Sequence, residues 1–419
     1  MNPASSESHT PMTSPAMVPA TDSPTNLNQV TDGMAFNEPL DASALLDAVN
    51  ANAALADSDD DLYDEQAAFG TLQEDEQIQA MNDEFNEAQI SLKTIRDFIR
   101  FCVTKLREYD VVVAQGTTDV FAEAAAIVLH TLSLDWSADD QILDCRLTES
   151  EKSEVLTLLQ RRIIERKPLS YLINLAYFCD LPFYVDERVL IPRSPIGELI
   201  RQQFYPYFDS NDLVERLAGT DGNKHFFNHG LYDKQLAQPE RILDLCTGSG
   251  CIAIALASRF PDANVDASDI DKDALAVAAV NVEHNDMLHQ VNLIESNLFE
   301  KIPAENQYDL IVTNPPYVDA ATMADLPPEF LHEPDHALAA GQDGLDLVHQ
   351  ILYYAPDYLN RDGLLVCEVG DSEWALRQAY PEIQFDWVTF AHGGSGVFAI
   401  DFDELMEYRE YFAEYVNNL

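Results

Sequence analysis

The sequence predicts an α/β fold with a mostly parallel, doubly wound sheet. From residue 241 onward, short apolar runs rich in β-branched residues alternate with stretches of helical periodicity, and one tight glycine turn joins a strand to a helix. This alternation is typical of strand–helix–strand units, which place helices on both faces of a parallel sheet. The predicted strands are 242–246, 264–269, 291–296, 308–314, 363–369, 385–390 and 396–402, and the helices lie near 250–259, 271–284 and 345–358.

The end of the chain predicts how this sheet closes. The last two strands are joined by the glycine-rich turn 393–396, which favours an antiparallel hairpin. Residues 404–417 then have the pattern of a short amphipathic helix. The α/β domain is therefore assigned to 196–419, with a polar loop insertion at 209–239.

The first 88 residues are predicted to form a disordered acidic leader. Residues 1–90 contain 18 acidic residues and no lysine or arginine, and low hydrophobicity with high charge does not offset the entropy of ordering a chain. Order is expected to start near Ile90. The leader either recruits a basic protein or is only a solvated segment.

A small helical domain is predicted over 89–170. Apolar residues recur at helical spacing from Leu92 to Leu106, a second helix is expected at 120–132, and Thr148 with Glu151 forms a capping box for a third. This domain is interpreted as a substrate-recognition domain, with plain packing as the alternative. Alternating aromatic residues predict that 171–195 is a β-hairpin linking the two domains.

Charge and composition limit the partners. The net charge is −49, of which the first 90 residues carry −18, so that the rest keeps −31. Such a surface repels phosphate backbones and attracts basic proteins, so no direct nucleic-acid binding is expected. No apolar run is long enough for a membrane span and no signal peptide is recognised, which favours a cytoplasmic protein. Scattered cysteines predict no metal site, and the oligomeric state stays open.

A glycine turn after the strand 242–246 predicts a nucleotide-type cofactor site. The turn contains Cys246, Thr247, Gly248, Ser249 and Gly250, and it allows the backbone to approach a ligand closely. Asp269 ends the next strand, 25 residues after Asp244, and can accept both ribose hydroxyl hydrogens. Ala253 replaces the third glycine of a dinucleotide fingerprint, which favours adenosine with a cationic amino-acid tail. The alternative for Asp269 is a helix N-cap.

Four residues after the strand 308–314 predict the reaction site: Asn314, Pro315, Pro316 and Tyr317. The side-chain oxygen of Asn314 can accept a hydrogen bond from one N–H of an NH2 group. The two prolines fix the backbone in an extended form, so that a main-chain carbonyl can be the second acceptor. Tyr317 supplies a flat face. The alternative is an ordinary loop after a strand.

The order of these motifs resembles class I S-adenosylmethionine-dependent methyltransferases that act on amide or amino nitrogens. Residues 183–200 and 392–398 resemble the PrmB family, whose members methylate a glutamine of large-subunit ribosomal protein L-three. The sister branch, which acts on release factors, usually has Pro-Arg-Pro-x-Thr-Glu where this chain has Pro192-Arg193-Ser194-Pro195-Ile196-Gly197. The resemblance covers about residues 90–402.

The resemblance implies a seven-stranded Rossmann-like sheet, S-adenosylmethionine as cofactor and L-three as protein substrate. It implies that 246–250 form the cofactor loop, that Asp269 holds the ribose and that Asn297 and Leu298 contact adenine. Asp244 and Asn314 complete the implied cofactor-binding set. The side chain of Asn314 and the carbonyl of Pro315 would hold the glutamine NH2, with Tyr317 packed on the amide plane.

The expected mechanism needs no strong base. An amide nitrogen is a poor nucleophile, and two acceptors that prefer a pyramidal nitrogen would favour the transition state over the planar ground state. The methyl group must lie in line at about 3–3.5 Å, and the proton can leave after transfer.

Three other functions remain as alternatives. They are methylation of a release-factor glutamine, N(6)-methylation of adenine in nucleic acid, and a non-catalytic role in ribosome assembly. Arg193 and Glu198 are expected either to orient the loop near the site or to form a structural ion pair.

Overall fold

The computed structural model describes residues 71–208 and 236–417, without the side chains of 71–77. The first 70 residues of the predicted leader and most of the predicted loop insertion therefore lie outside the described residues. In the part of the chain that the structure describes, no helix is both long and apolar enough to span a membrane.

In the described residues, the strands of the main sheet are β3 Arg241–Leu245, β4 Asn264–Asp269, β5 Val291–Glu295, β6 Tyr308–Thr313, β7 Leu359–Glu368, β8 Asp386–Trp387 and β9 Val397–Asp401. These seven strands are arranged in the order β5-β4-β3-β6-β7-β9-β8. Five strands are parallel, whereas β9 runs antiparallel to both β7 and β8 and lies between them. The predicted α/β fold and the closing hairpin are thus confirmed.

Helices cover both faces of the sheet because neighbouring strand residues point to opposite sides. On β3, Ile242 belongs to one hydrophobic core and Leu243 to the other. The first core contains the helices Ile196–Arg201, Cys251–Arg259 and Lys272–His284. The second contains the helices Asp346–Tyr354, Glu373–Ala379, Phe402–Glu407 and Arg409–Val416. The last two replace the single helix expected at 404–417.

The amino-terminal domain is helical, as predicted, but it begins earlier. Its main helices are Thr71–Ser91, Ile95–Glu108, Val120–Thr131 and Glu149–Ile164, and the capping box of Thr148 with Glu151 is present. The expectation that order starts near Ile90 is wrong. Met81, Phe85 and Ala88 are buried in the core of this domain. These three residues recur at helical spacing, but so few apolar residues in a strongly acidic stretch did not predict a helix.

A short hairpin follows the helical domain. Strands β1 Ala176–Phe178 and β2 Leu181–Phe183 pair antiparallel, which confirms the predicted hairpin. Between the domains, the helix Leu169–Leu172 leads into the hairpin. After β6, the helix Ala320–Met323 begins a long irregular segment that runs to residue 345.

Candidate active site

A cavity of about 280 Å³ lies at the carboxyl ends of β3, β4, β5 and β6. Ligands of open α/β sheets usually bind at this edge. The cavity contains most of the residues that the motifs single out. Those that line it are Cys246, Thr247, Gly248, Ser249, Asp269, Asn297, Leu298, Asn314 and Pro316.

The glycine turn is built from left-handed backbone. Cys246, Gly248 and Gly250 have φ values of 60°, 55° and 80°, a region in which glycine is favoured. At Gly250, a Cβ would also lie 3.2 Å from the Cβ of Ala278, so the helix that begins at Cys251 packs closely against its neighbour. The turn therefore exposes main-chain groups to the cavity without a side chain in between.

Asp244 does not line the cavity. Its carboxyl group is fully buried and accepts hydrogen bonds from the Thr247 hydroxyl (2.5 Å) and the Ala253 amide (3.0 Å). Burial raises the pKa of Asp244 to about 7, although both hydrogen bonds act in the opposite direction. The side chain thus holds the two ends of the turn together from beneath the cavity.

Asp269 reaches the cavity from the end of β4. Its carboxylate accepts hydrogen bonds from the Gly248 amide (2.8 Å) and the Asp271 amide (3.0 Å). The helix Lys272–His284 is capped by Asp271, which excludes the alternative that Asp269 is the N-cap. Burial raises the pKa of Asp269, mainly through lost hydration. Each carboxylate oxygen keeps a second lone pair for a ligand hydroxyl.

The turn after β5 supplies the opposite wall of the cavity. Leu298 is buried and has a φ of 44°, and its carbonyl accepts a hydrogen bond from the Ser296 hydroxyl at 2.7 Å. The side chain of Asn297 donates to Glu300 at 3.0 Å. Together with Ile270, which also lines the cavity, Leu298 gives this end of the site an apolar surface.

Asn314 follows β6, and its side-chain oxygen is a buried acceptor without a partner among the described residues. Its Oδ1 atom is shielded from solvent and has no hydrogen bond in the structure. Pro316 lines the cavity beside it, whereas Pro315 and Tyr317 do not. The hydroxyl of Tyr317 donates instead to Glu368 at 2.9 Å.

Arg193 and Glu198 do not pair with each other. Arg193 lines the cavity and forms a bidentate ion pair with Glu333, at 2.5 and 2.9 Å. Glu198 accepts hydrogen bonds from the amides of Ala391 and His392, just before the glycine-rich turn. Both residues orient loops, and Arg193 also forms a structural ion pair, although its partner was not expected.

Fourteen further residues line the cavity, and six of them belong to the segment 183–200 that carries the family resemblance. They are Arg188, Val189, Leu190, Pro192, Arg193, Ser194, Cys251, Ile252, Ile270, Ala274, Ser296, His336, Ala337 and Leu347. Most are close in sequence to a motif. His336 and Ala337 come from the irregular segment after Tyr317, where no periodicity points to a site. His336 lies 3.0 Å from Asp271, and this contact joins the irregular segment to the start of the helix Lys272–His284.

These groups fit an adenosine that carries a sulfonium amino-acid tail. A carboxylate with free lone pairs suits ribose hydroxyls, the apolar surface at Ile270 and Leu298 suits a purine ring, and main-chain groups in the glycine turn suit a charged tail. Asn314, whose side-chain oxygen has no partner among the described residues, lines the same cavity.

Comparisons with known proteins agree with this geometry. The family model of the methyltransferase small domain matches residues 230–350. Two relatives from Neisseria meningitidis, of serogroup A and serogroup B, are both ribosomal protein uL3 glutamine methyltransferases. Each is 42% identical over 322 residues, which cover 77% of this chain and 97% of the relative. Among solved structures, a ribosomal protein L11 methylase from Lactobacillus delbrueckii subsp. bulgaricus is 20% identical over 38% of this chain and 66% of that chain. Its TM-score of 0.26 is too low to support an inference.

Proposed function

The chain belongs to the family of ribosomal protein uL3 glutamine methyltransferases, and we propose that it methylates a glutamine side-chain amide of uL3, the protein called L-three above. The observation that carries this proposal is the side-chain oxygen of Asn314, which is buried and lacks a donor among the described residues, on a residue that lines the cavity. Leaving a buried acceptor unpaired costs about 1–3 kcal/mol, and an N–H of the substrate amide would remove that cost.

The methyl donor of this proposal is S-adenosylmethionine, which supplies an electrophilic methyl group when it is bound. Asp269 is proposed to hold the ribose, and Asn297 and Leu298 the adenine. The main chain of 246–250 is proposed to hold the amino-acid tail. Asp244 is proposed to support cofactor binding indirectly, because it holds Thr247 and Ala253 and does not line the cavity.

The residues after β6 are proposed to hold the reacting nitrogen. The Asn314 oxygen and the Pro315 carbonyl accept hydrogen bonds from the two N–H groups of the amide, and the two prolines fix the angle between these acceptors. Such a pair favours a pyramidal nitrogen, whose lone pair is free to attack, and the proton leaves after methyl transfer. Tyr317, which lies outside the cavity lining, is proposed to pack against the plane of the amide.

The partner and location follow from the substrate. Ribosomal proteins are strongly basic, and the negative charge of this chain is complementary to such a partner. A protein that modifies uL3 works where ribosomes are made, so we propose a cytoplasmic location.

A transfer assay tests the proposed function. Purified protein is incubated with methyl-labelled S-adenosylmethionine and, separately, with uL3, a release factor and an oligonucleotide. We expect label on uL3 alone. Label on the release factor would keep the chemistry and change the substrate, label on the oligonucleotide would contradict the amide assignment, and binding without transfer to any of them would favour a non-catalytic assembly role.

A further inference from the structure

One buried carboxyl group receives hydrogen bonds from two hydroxyls beside the proposed reaction site. Glu368 is the last residue of β7 and is 4% exposed. The Ser194 hydroxyl donates to its Oε2 atom at 2.5 Å, and the Tyr317 hydroxyl donates to its Oε1 atom at 2.9 Å. Glu368 itself does not line the cavity, so any effect on the reaction must pass through its partners.

Sheet pairing explains why Glu368 reaches this turn. Strands β6 and β7 are parallel, and Thr313 pairs with Cys367. Asn314 and Glu368 are therefore the next residues on two adjacent strands, at the edge where the cavity lies. The carboxyl group of one strand end can reach the tyrosine that follows the other strand end.

Tyr317 is held at three points. Its hydroxyl donates to Glu368, and its main-chain carbonyl accepts a hydrogen bond from Ser372 at 2.9 Å. Its ring lies against Gly370, where an added Cβ would be 2.4 Å from the ring atom Cε2. Among the described residues, the bond to Glu368 is the hydrogen bond that the Tyr317 side chain itself makes.

The groups around Glu368 favour a carboxylate that accepts hydrogen bonds from both hydroxyls. Burial raises the pKa of Glu368, whereas the two hydroxyl donors and nearby Arg193 lower it. The guanidinium of Arg193 is already bound to Glu333 in a bidentate pair. Among the described residues, Glu368 therefore has two hydroxyl partners and no ion-pair partner of its own. A buried carboxyl group without an ion-pair partner is unusual if its role is stability alone.

We propose that Glu368 is a positioning residue for methyl transfer, which fixes Tyr317 and through it the backbone that presents Asn314. Ser194 anchors the other carboxylate oxygen to the segment that enters the α/β domain. This inference rests on the proposed function for its kinetic consequences, but the contact with Tyr317 can be tested without activity.

The kinetic test replaces the carboxyl group by groups of similar size. In Glu368→Met no acceptor remains, and we expect kcat to fall about tenfold, as for loss of one hydrogen bond to a charged group. The KM for S-adenosylmethionine should stay within about twofold because the cavity lining is unchanged. Glu368→Gln keeps an acceptor for Tyr317 and should retain most of the wild-type kcat.

Two comparisons separate positioning from stability. Glu368→Met leaves the Ser194 and Tyr317 hydroxyls without their acceptor, which should cost about 1–3 kcal/mol of stability, so kcat is compared well below the unfolding temperature of the variant. In the Tyr317→Phe background, Glu368→Met should cause no further loss of kcat. The control is Glu404→Met, since Glu404 is also partly buried with its pKa raised to about 7, but lies on the helix after β9.

The contact is also tested by ¹⁹F NMR of protein labelled with 3-fluorotyrosine. The Tyr317 resonance is assigned by its absence in Tyr317→Phe. We expect Glu368→Met to shift this resonance and Glu404→Met to leave it in place. An unshifted resonance, or independent losses of kcat in the double variant, would overturn the proposal. If the wild-type protein does not methylate uL3 but the resonance shifts, the proposed function fails and the positioning contact stands.

Discussion

At the scale of single residues, the proposed methyl transfer depends most on Asn314. Its Oδ1 atom is the buried acceptor to which the amide of the substrate would donate a hydrogen bond. We expect Asn314→Ala to lower kcat about a hundredfold, or about 3 kcal/mol, by analogy with loss of one donor of an oxyanion hole. Binding of S-adenosylmethionine, measured by calorimetry, should be nearly unchanged.

Asn306→Ala is the matched control, because Asn306 precedes β6 and its side chain bonds to Asp266 and Tyr308, at the other end of the strand. A wild-type kcat in Asn314→Ala would show that another group holds the reacting nitrogen.

A second prediction concerns Asp244 and pH. The folded state raises the pKa of Asp244 from 3.8 to about 7. A raised pKa means that the folded protein binds the proton more tightly, so the contribution of Asp244 is greatest at low pH and is lost as the pH rises through about 4 to 7. In Asp244→Asn, the free energy of unfolding should fall less over this range. Urea unfolding at a series of pH values measures the difference, and parallel curves would contradict it.

At the scale of elements, buried charges join the helical domain to the irregular segment after Tyr317. Arg162, which is 1% exposed, bonds to Glu123 at 2.6 Å and lies 3.8 Å from Glu329, on the turn Pro328–His332. Arg166 lies 3.1 Å from the same Glu329 oxygen, which also accepts the Val112 amide. One carboxylate thus connects the segment that covers the cavity to two parts of the helical domain.

Loss of Arg162 should therefore be costly. We expect Arg162→Met to lower the free energy of unfolding by about 3–5 kcal/mol, because two buried carboxylates lose a partner. The neighbouring Arg161 pairs with Glu165, but both side chains are more than a third exposed, so Arg161→Met should cost less than about 1 kcal/mol. Equal losses in chemical denaturation would mean that the buried network adds no more than a surface pair.

Elements with a strong local pattern could be predicted from the sequence alone. Strands β3 and β6 are largely buried and consist mostly of apolar residues. The bounds of β3 to β6 agree with the prediction within about one residue. The helix Thr71–Ser91 was missed because few apolar residues mark its buried side in an acidic stretch. Its stability comes from packing against other helices, which a local pattern does not contain.

The site could be predicted where function requires an unusual residue type. The glycines of the turn, the acid after β4 and Asn314 with two prolines have few structural reasons to occur together. His336, Glu333 and Glu368 were not found, because ordinary charged residues in a loop or at a strand end give no local signal. Only the fold brings them to within reach of the cavity and of Tyr317.

At the scale of the whole molecule, net charge should govern the encounter with the substrate. A charge of −49 attracts a basic protein over a range of about 30 Å at 0.01 M ionic strength and about 8 Å at physiological ionic strength. We expect the KM for uL3 to rise with added salt while kcat at saturation changes little. Stopped-flow association at two salt concentrations measures the effect, with S-adenosylmethionine binding as the control. A salt-independent association rate would exclude steering by charge.

The most direct test of the account is to locate the transferred methyl group on uL3 by tandem mass spectrometry. The account predicts one added methyl group on the side-chain nitrogen of a glutamine with the wild-type protein, and about a hundredfold slower appearance of the same product with Asn314→Ala. A methyl group on another residue type, or an unchanged rate in the variant, would contradict the assignment of Asn314 as the acceptor that holds the reacting amide.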